Sequence, residues 1–158
     1  MTRHALVIVA DRRAAQALLA DAIALAAGDQ ADGGTYVDTV IPLVVPATLP
    51  IDARAPGLVA ELDALRAAAV EALWALGVDG RAEVVPCRGL RTLVAAAAEH
   101  DHVVLVGSAG RLLTRRLRSA APALTTLPGP RRHRWQRRPR PHTSATAAPI
   151  GSVGQVQR

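Results

Sequence analysis

The strongest constraint on how this chain folds is a short apolar run that ends in a glycine turn. The run from Val103 to Val106 leads directly into the sequence GSAG at positions 107–110. Four aliphatic residues in a row, mostly β-branched valines, are too few for a helix that stands alone and are typical of a strand buried on both faces. Glycine directly after such a strand lets the backbone turn tightly and bring its N–H groups close to a ligand.

A second apolar run of the same kind lies near the amino terminus. The residues from Ala5 to Ala10 are all apolar and are followed by Asp11. We predict that this run is the first strand. Asp11 then stands at the N-cap of a helix from Arg12 to Ala27, in which alanine and leucine recur at helical spacing.

The chain up to residue 128 continues to alternate between these two patterns. We predict further strands over residues 36–45, 81–87 and 123–127, and further helices over 57–76, 90–99 and 112–121. Pro42 lies inside the second strand and removes one backbone donor, so it predicts a bulge or an early end to regular pairing. Strands that alternate with helices indicate an α/β fold, with an open, mostly parallel, five-stranded, doubly wound sheet and helices on both faces.

The charged residues divide the chain into two parts. Residues 1–128 contain 12 arginines and all 13 acidic residues, whereas residues 129–158 contain seven arginines and no acid. We therefore predict one α/β domain over 1–128 and a disordered, basic, proline- and arginine-rich tail over 129–158. A single cysteine excludes an intrachain disulfide, and no apolar stretch reaches the roughly 18 residues of a membrane span. We expect a cytoplasmic protein.

Four stretches, taken in order, resemble the universal stress protein family. They are ALVIVAD at 5–11, VIPLVVPATLP at 40–50, VVPCRG at 84–89 and VVLVGSAGR at 103–111. The resemblance implies a five-stranded parallel sheet with strand order 3-2-1-4-5 and a homodimer. Members of one branch of the family bind ATP or AMP, so the resemblance also implies a nucleotide site.

The nucleotide motif of that branch is only half present. It reads G-x-x-G, nine residues, and then Gly-Ser or Gly-Thr. Gly107 and Gly110 match the first half, but Ala120 and Ala121 stand where the second half belongs. The resemblance therefore implies a phosphate-facing turn without the residues that close it.

Neighbouring first and fourth strands would bring the candidate site together at the point where the strand order reverses, which is where open α/β sheets bind ligands. Asp11 can accept hydrogen bonds from a base or ribose, the backbone of the glycine turn can face phosphates, and Arg111 can bind phosphate oxygens. The candidate nucleotide-binding residues are Asp11, Gly107, Ser108, Gly110 and Arg111. The alternative is that Asp11 only caps a helix and the glycines only form a tight turn.

Other polar groups have simpler interpretations. Arg111, Arg115 and Arg118 share a helix face, which can hold phosphates or an acidic partner or can simply be solvated. The sequence His-Asp-His at 100–102 is interpreted as a turn and not as a metal site, so no metal is required. We expect Trp74 to contribute to packing.

The basic run from Arg131 to Arg140 includes Trp135 and can contact nucleic acid weakly through phosphates and base stacking. A tail without a selected role, or the product of a shifted reading frame, explains it equally well.

Three functional hypotheses remain. The first is a stress-response or regulatory module that binds an adenine nucleotide between the first and fourth strands. The second is a nucleotide-free interaction protein of the same fold that dimerises through its last strand. The third is nucleic-acid binding through the tail. We expect no enzyme, because no nucleophile with an oriented base is recognisable, and the absence of lysine excludes a P-loop.

Overall fold

A computed structural model describes residues 2–28, 34–44 and 56–129. The described residues form five strands and four helices in strict alternation. The strands are β1 (Arg3–Val9), β2 (Thr35–Val44), β3 (Gly80–Cys87), β4 (His102–Val106) and β5 (Leu124–Leu127). The helices are α1 (Arg12–Ala27), α2 (Pro56–Leu76), α3 (Leu90–Ala98) and α4 (Arg111–Ala120).

All five strands are parallel, in the order β3-β2-β1-β4-β5. This confirms both the predicted α/β class and the strand order implied by the family resemblance. From β1 the chain continues to β2 and β3, which lie on one side of β1 within the sheet. After β3 it crosses to β4 and β5, which lie on the other side of β1. The connections that leave β1 and β4 therefore diverge and leave a crevice at the carboxyl ends of these two strands.

Helices cover both faces of the sheet and create two separate cores. Successive side chains of a strand point to opposite faces. Accordingly, Val7 and Val9 of β1 pack in the core beneath α1 and α2, whereas Leu6 and Ile8 pack in the core beneath α3 and α4. These four side chains are almost completely buried. Burial on both faces explains why the sequence of β1 contains a continuous apolar run.

Pro42 ends the pairing of β2 on one side only. The ladder with β1 stops at Val40, whereas the ladder with β3 continues through Pro42 to Val44. The backbone N–H of Val37 donates to Asp79, next to β3, at 2.9 Å. Because backbone groups alternate along a strand, position 42 faces the β1 side, where the ladder has already ended. The missing proline donor therefore costs no sheet hydrogen bond.

Two sequence predictions have different outcomes at the periphery. The prediction that Trp74 contributes to packing is wrong, because Trp74 is 85% exposed on α2, whereas the adjacent Leu73 is buried. The predicted tail over 129–158 lies almost entirely outside the described residues. Gly129 is described, and it lies beside Ala14 of α1.

A charged cluster joins β2, β3 and α3 at the opposite end of the sheet from the crevice. Arg81 Nε donates to Asp38 Oδ1 at 2.6 Å, and His100 Nε2 lies 3.0 Å from Asp38 Oδ2. His100 Nδ1 lies 2.6 Å from the carbonyl oxygen of Ala96. Burial by itself raises the pKa of Asp38, but the hydrogen bonds and positive charges of His100 and Arg81 together hold that pKa below its ordinary value of 3.8.

This cluster predicts a loss of stability in acid. Because the pKa of Asp38 is lower in the folded state than in the unfolded state, its contribution is present above pH 3.8 and is lost as the pH falls further. We expect Asp38→Asn to flatten the decline in the free energy of unfolding below about pH 4, measured by urea titration at several pH values. Asp63→Asn, at an exposed carboxylate on α2, is the control. An unchanged acid slope in Asp38→Asn would contradict the assignment.

Candidate functional site

The carboxyl ends of β1, β4 and β5 are fixed to one another by backbone hydrogen bonds. The N–H groups of Ala10 and Asp11 both donate to the carbonyl of Val106, at 2.9 and 3.2 Å. The N–H of Gly107 donates to the carbonyl of Leu127 at 2.8 Å. The turn that carries the candidate site is therefore anchored on both sides.

Gly107 cannot be replaced by a larger residue without moving α1. Its φ of 89° lies in the left-handed region that side chains disfavour. A Cβ atom at this position would lie 2.5 Å from Asp11 Cβ and 3.1 Å from Ala14 Cβ. The glycine thus allows the β4 turn to pack directly against the first turn of α1.

Asp11 has the capping role that its position predicts. It is the N-cap of α1, and its Oδ1 accepts a hydrogen bond from the N–H of Arg13 at 3.0 Å. Within the described residues, no donor contacts its second carboxylate oxygen. The cap and a ligand contact are therefore compatible, because they use different oxygen atoms of one side chain.

Helix α4 begins immediately after the glycine turn. Gly110 is its N-cap and supplies no side-chain hydrogen bond. The first backbone hydrogen bond of the helix runs from the N–H of Thr114 to the carbonyl of Gly110, at 3.1 Å. The N–H groups of the first turn, which starts at Arg111, therefore have no partner within the helix. The first turn contains no acidic residue. These N–H groups and the helix dipole favour an anion at this end of α4.

Two grooves flank the 107–110 turn and share Asp11, Arg13 and Ser108 in their linings. The first, which we call the hydroxyl groove, has a volume of about 840 Å³ and includes Thr114 and Thr126. The second, which we call the leucine groove, has a volume of about 720 Å³. Its leucines come from β2 and three helices: Leu43, Leu58, Leu90, Leu93 and Leu113.

Positive charge surrounds this edge of the sheet. Five arginines lie in the turns after strands or in the first turns of helices: Arg12, Arg13, Arg88, Arg91 and Arg111. Arg12 contacts Glu61 at 3.5 Å, and none of the other four makes an ion pair within the described residues. The edge can therefore attract an anionic ligand.

The structure brings all five predicted site residues to this edge. Asp11, Ser108 and Gly110 line the leucine groove, Gly107 lines the hydroxyl groove, and Arg111 starts the adjoining helix. Ala120 and Ala121 lie at the far end of α4, roughly 15 Å of helix away, so they contribute nothing to the crevice.

Sequence reasoning did not identify three of the polar residues that line the hydroxyl groove. Arg13 follows Asp11 by two positions in the first helical turn and was recognisable from that spacing. Thr114 and Thr126 carried no such signal. Their places depend on where α4 starts and on how β5 pairs with β4, which are tertiary properties.

The remaining polar candidates have structural roles. His102 Nε2 lies 3.0 Å from Thr125 Oγ1, and burial lowers the pKa of His102. Asp101 accepts a hydrogen bond from the N–H of His4 at 3.0 Å. Burial raises the pKa of the Cys87 thiol, which disfavours its reactive thiolate form.

The described residues contain neither a cluster of metal ligands nor a membrane-spanning helix. No group of three or more His, Cys, Asp or Glu side chains in this part of the chain is arranged to hold a metal ion. No helix over residues 2–28, 34–44 and 56–129 is long and apolar enough to cross a membrane.

Comparison with known proteins identifies the fold. No protein-family model matches the sequence, and no curated protein matches it. A universal stress protein from Archaeoglobus fulgidus, solved in complex with dAMP, is 17% identical, with coverage of 80% of this chain and 98% of that chain and a TM-score of 0.56. A universal stress protein family protein from Arabidopsis thaliana, solved with AMP bound, is 14% identical, with coverage of 81% and 93% and a TM-score of 0.51. The chain therefore has the fold of the universal stress proteins, as its resemblance to them implies.

The close contact at Gly107 generates a testable prediction about stability. We expect Gly107→Ala to lower the free energy of unfolding by about 2–4 kcal/mol, because the new methyl group meets Asp11 and the backbone is left-handed. Gly110→Ala is the matched control, since φ is −61° and no atom lies within 4 Å of its added Cβ. We expect a loss below about 1 kcal/mol there. Equal losses in the two variants, measured by chemical denaturation, would contradict the packing role of Gly107.

Proposed function

We propose that this chain is a universal-stress-protein-like regulatory module that binds AMP in the crevice between β1 and β4. The observation that carries the proposal is the meeting of two different grooves at the 107–110 turn, on an edge of the sheet where four arginines make no ion pair with any described residue. A nucleotide has the matching character, because one end is a flat, largely apolar base and the other end is an anion.

The leucine groove is the proposed site for the base. Its aliphatic walls come from Leu43, Leu90 and Leu113, among others, and can cover the faces of a purine. Asp11 lies where this groove meets the turn, and its second carboxylate oxygen can accept a hydrogen bond from a ribose hydroxyl or an amino group.

The start of α4 and the neighbouring turn form the proposed phosphate site. Unpaired N–H groups at the first turn of α4 and the hydroxyl of Ser108 can donate to phosphate oxygens. Arg111 and Arg13 flank this position and can add charge-assisted hydrogen bonds. This arrangement needs no metal ion and no lysine.

The short path into α4 favours a monophosphate. The helix begins at Arg111, directly after Gly110, so no additional turn of chain is present to surround the second and third phosphates of ATP. Two of the fold neighbours were solved with a nucleoside monophosphate, dAMP in one and AMP in the other. These observations support AMP over ATP as the ligand.

We further propose that the module binds and does not catalyse. The polar groups around the crevice are arginines, hydroxyls, backbone N–H groups and the carboxylates of Asp11 and Glu61, and neither groove lining contains a histidine that can act as a base for a hydroxyl. Binding then acts on a partner or on the conformation of the chain. The cytoplasmic location expected from the sequence stays a prediction.

Calorimetry on the full chain tests the ligand. We expect AMP to bind, adenosine to bind at least about tenfold more weakly, and ATP to bind no more tightly than AMP, because the phosphate site accepts one phosphate. Arg111→Ala should weaken AMP by about tenfold and leave adenosine unchanged. Arg118→Ala, at the last turn of the same helix, is the control and should change neither affinity.

Three results would contradict the proposal. The first is no heat and no thermal shift with millimolar AMP. The second is an Arg111→Ala variant that weakens adenosine as much as AMP, since Arg111 would then not act on the phosphate. The third is ATP binding much more tightly than AMP, since the crevice would then hold more than one phosphate.

Weak nucleic-acid contact through the segment from Arg131 to Arg140 remains a separate prediction, because that segment lies outside the described residues. Seven arginines without an acid over 129–158 support it. If the tail is the binding element, deletion of residues 129–158 should abolish binding to DNA and remove its salt dependence. Unchanged affinity and salt slope after the deletion would show that the tail is not the binding element.

A further inference from the structure

The charge of this chain changes sign between β4 and α4. Residues 1–101 contain eight arginines and all 13 acidic residues, whereas residues 102–158 contain 11 arginines and no acid. Among the described residues of this second part, all the arginines belong to α4, which has four of them in ten residues. The basic part of the chain therefore begins inside the folded domain and not at the tail.

Three of these four arginines form a row along one side of α4. Arg111, Arg115 and Arg118 follow one another at spacings of four and three, which places them on the same side of a helix. All three are exposed, whereas Leu113 and Leu117 pack in the core beneath the helix. The three residues, which we call the arginine row, therefore point away from the sheet.

The arginine row has no acidic partner in the part of the chain that the structure describes. None of the ion pairs among residues 2–28, 34–44 and 56–129 includes an arginine of α4. Helix α3, which packs against α4, contains no acid, and its one charged residue is Arg91. Because like charges at a spacing of four destabilise a helix, a partner that supplies negative charge would stabilise this one.

The packing of α4 disfavours two kinds of anionic partner. A helix that lies in a membrane surface needs a free apolar face, but Leu113 and Leu117 of α4 are packed in the core. A protein interface usually has an apolar, uncharged centre within a polar rim. The one large apolar side chain that α4 exposes is Leu112, so its outer surface offers no such centre.

A nucleic-acid backbone has the chemistry that this surface fits. It is a row of phosphates, which proteins contact mainly through arginine and lysine, and a guanidinium group can donate two hydrogen bonds to one phosphate. From Arg111 to Arg118 the row extends about 10 Å along the helix axis. Duplex DNA carries about six phosphate charges over that length, so each arginine of the row can reach a phosphate.

We propose that the arginine row of α4 binds the sugar-phosphate backbone of a nucleic acid, without reading its sequence. The contact adds a folded surface to the one predicted for the tail, and the two can be tested separately. Arg115 and Arg118 lie outside the crevice between β1 and β4, so the inference does not rest on AMP binding.

Two matched double variants of the full chain test the row by fluorescence anisotropy with a short labelled DNA duplex. In Arg115→Gln with Arg118→Gln we expect a dissociation constant raised about tenfold at low salt. The slope of its logarithm against the logarithm of the salt concentration should fall by about two, because two phosphate contacts are lost. Arg3→Gln with Arg66→Gln makes the same charge change at exposed positions on the α1 and α2 side of the sheet. We expect this control to leave the slope unchanged.

Further arms of the experiment separate the possible partners. Glutamine forms helices about as well as arginine, and circular dichroism confirms that each variant is folded. Single-stranded RNA of equal length shows which nucleic acid supplies the backbone, and a loss with either one supports the proposal. Vesicles that contain phosphatidylserine and the polymer polyglutamate serve as anionic competitors.

Four results would overturn the proposal. The first is a full chain that binds neither DNA nor RNA. The second is an equal loss in the two double variants, since net charge alone would then explain it. The third is an unchanged slope in the variant of α4, which would assign the contact to the tail alone. The fourth is an equal loss of binding to the vesicles or to polyglutamate, since the row would then not select a nucleic acid.

Discussion

The contact of Gly107 with Asp11 and Ala14 is the constraint on which the candidate site depends. It brings the turn after β4 against the first turn of α1 at a distance that excludes any side chain at position 107. The same approach lets the carbonyl of Val106 accept hydrogen bonds from both Ala10 and Asp11. Two turns that are far apart in the sequence are thereby held as one rigid unit. A crevice bounded by such a unit can be shaped for a ligand before the ligand arrives, which reduces the entropy lost on binding.

The helix α4 determines what kind of ligand that crevice suits. Because it starts at Arg111, its unpaired N–H groups lie next to the glycine turn. The proposed phosphate site therefore uses this helix terminus in place of the second half of the nucleotide motif. One phosphate can use this terminus, whereas a longer phosphate chain would need donors that lie further along. The half motif is thus consistent with a smaller ligand and does not by itself indicate a lost site.

The sequence predicted the fold well because both signals involved are local. Continuous apolar runs such as the one from Ala5 to Ala10 identify strands buried on both faces, and their alternation with helices is sufficient for the α/β class. The strand order came from the family resemblance. Trp74 was misjudged because composition does not show which helix face meets the sheet. The ion pair between Asp38 and Arg81 and the place of Thr126 depend on strand register, which no local pattern encodes.

The helix α2 connects the leucine groove to an exposed surface of the domain. Its first turns contribute Leu58 and Glu61 to the leucine groove, and its last turns carry Trp74 beside the open edge of β3. The helix has 21 residues and is about 30 Å long. In the proposed complex, a nucleotide that displaced the start of α2 would therefore act on the same helix that carries Trp74. By linkage, any change that the nucleotide causes in the affinity for a partner at that surface equals the change that the partner causes in the affinity for the nucleotide. The proposed regulatory module would need a connection of this kind, because without catalysis the binding of a ligand has to alter a surface that another molecule contacts.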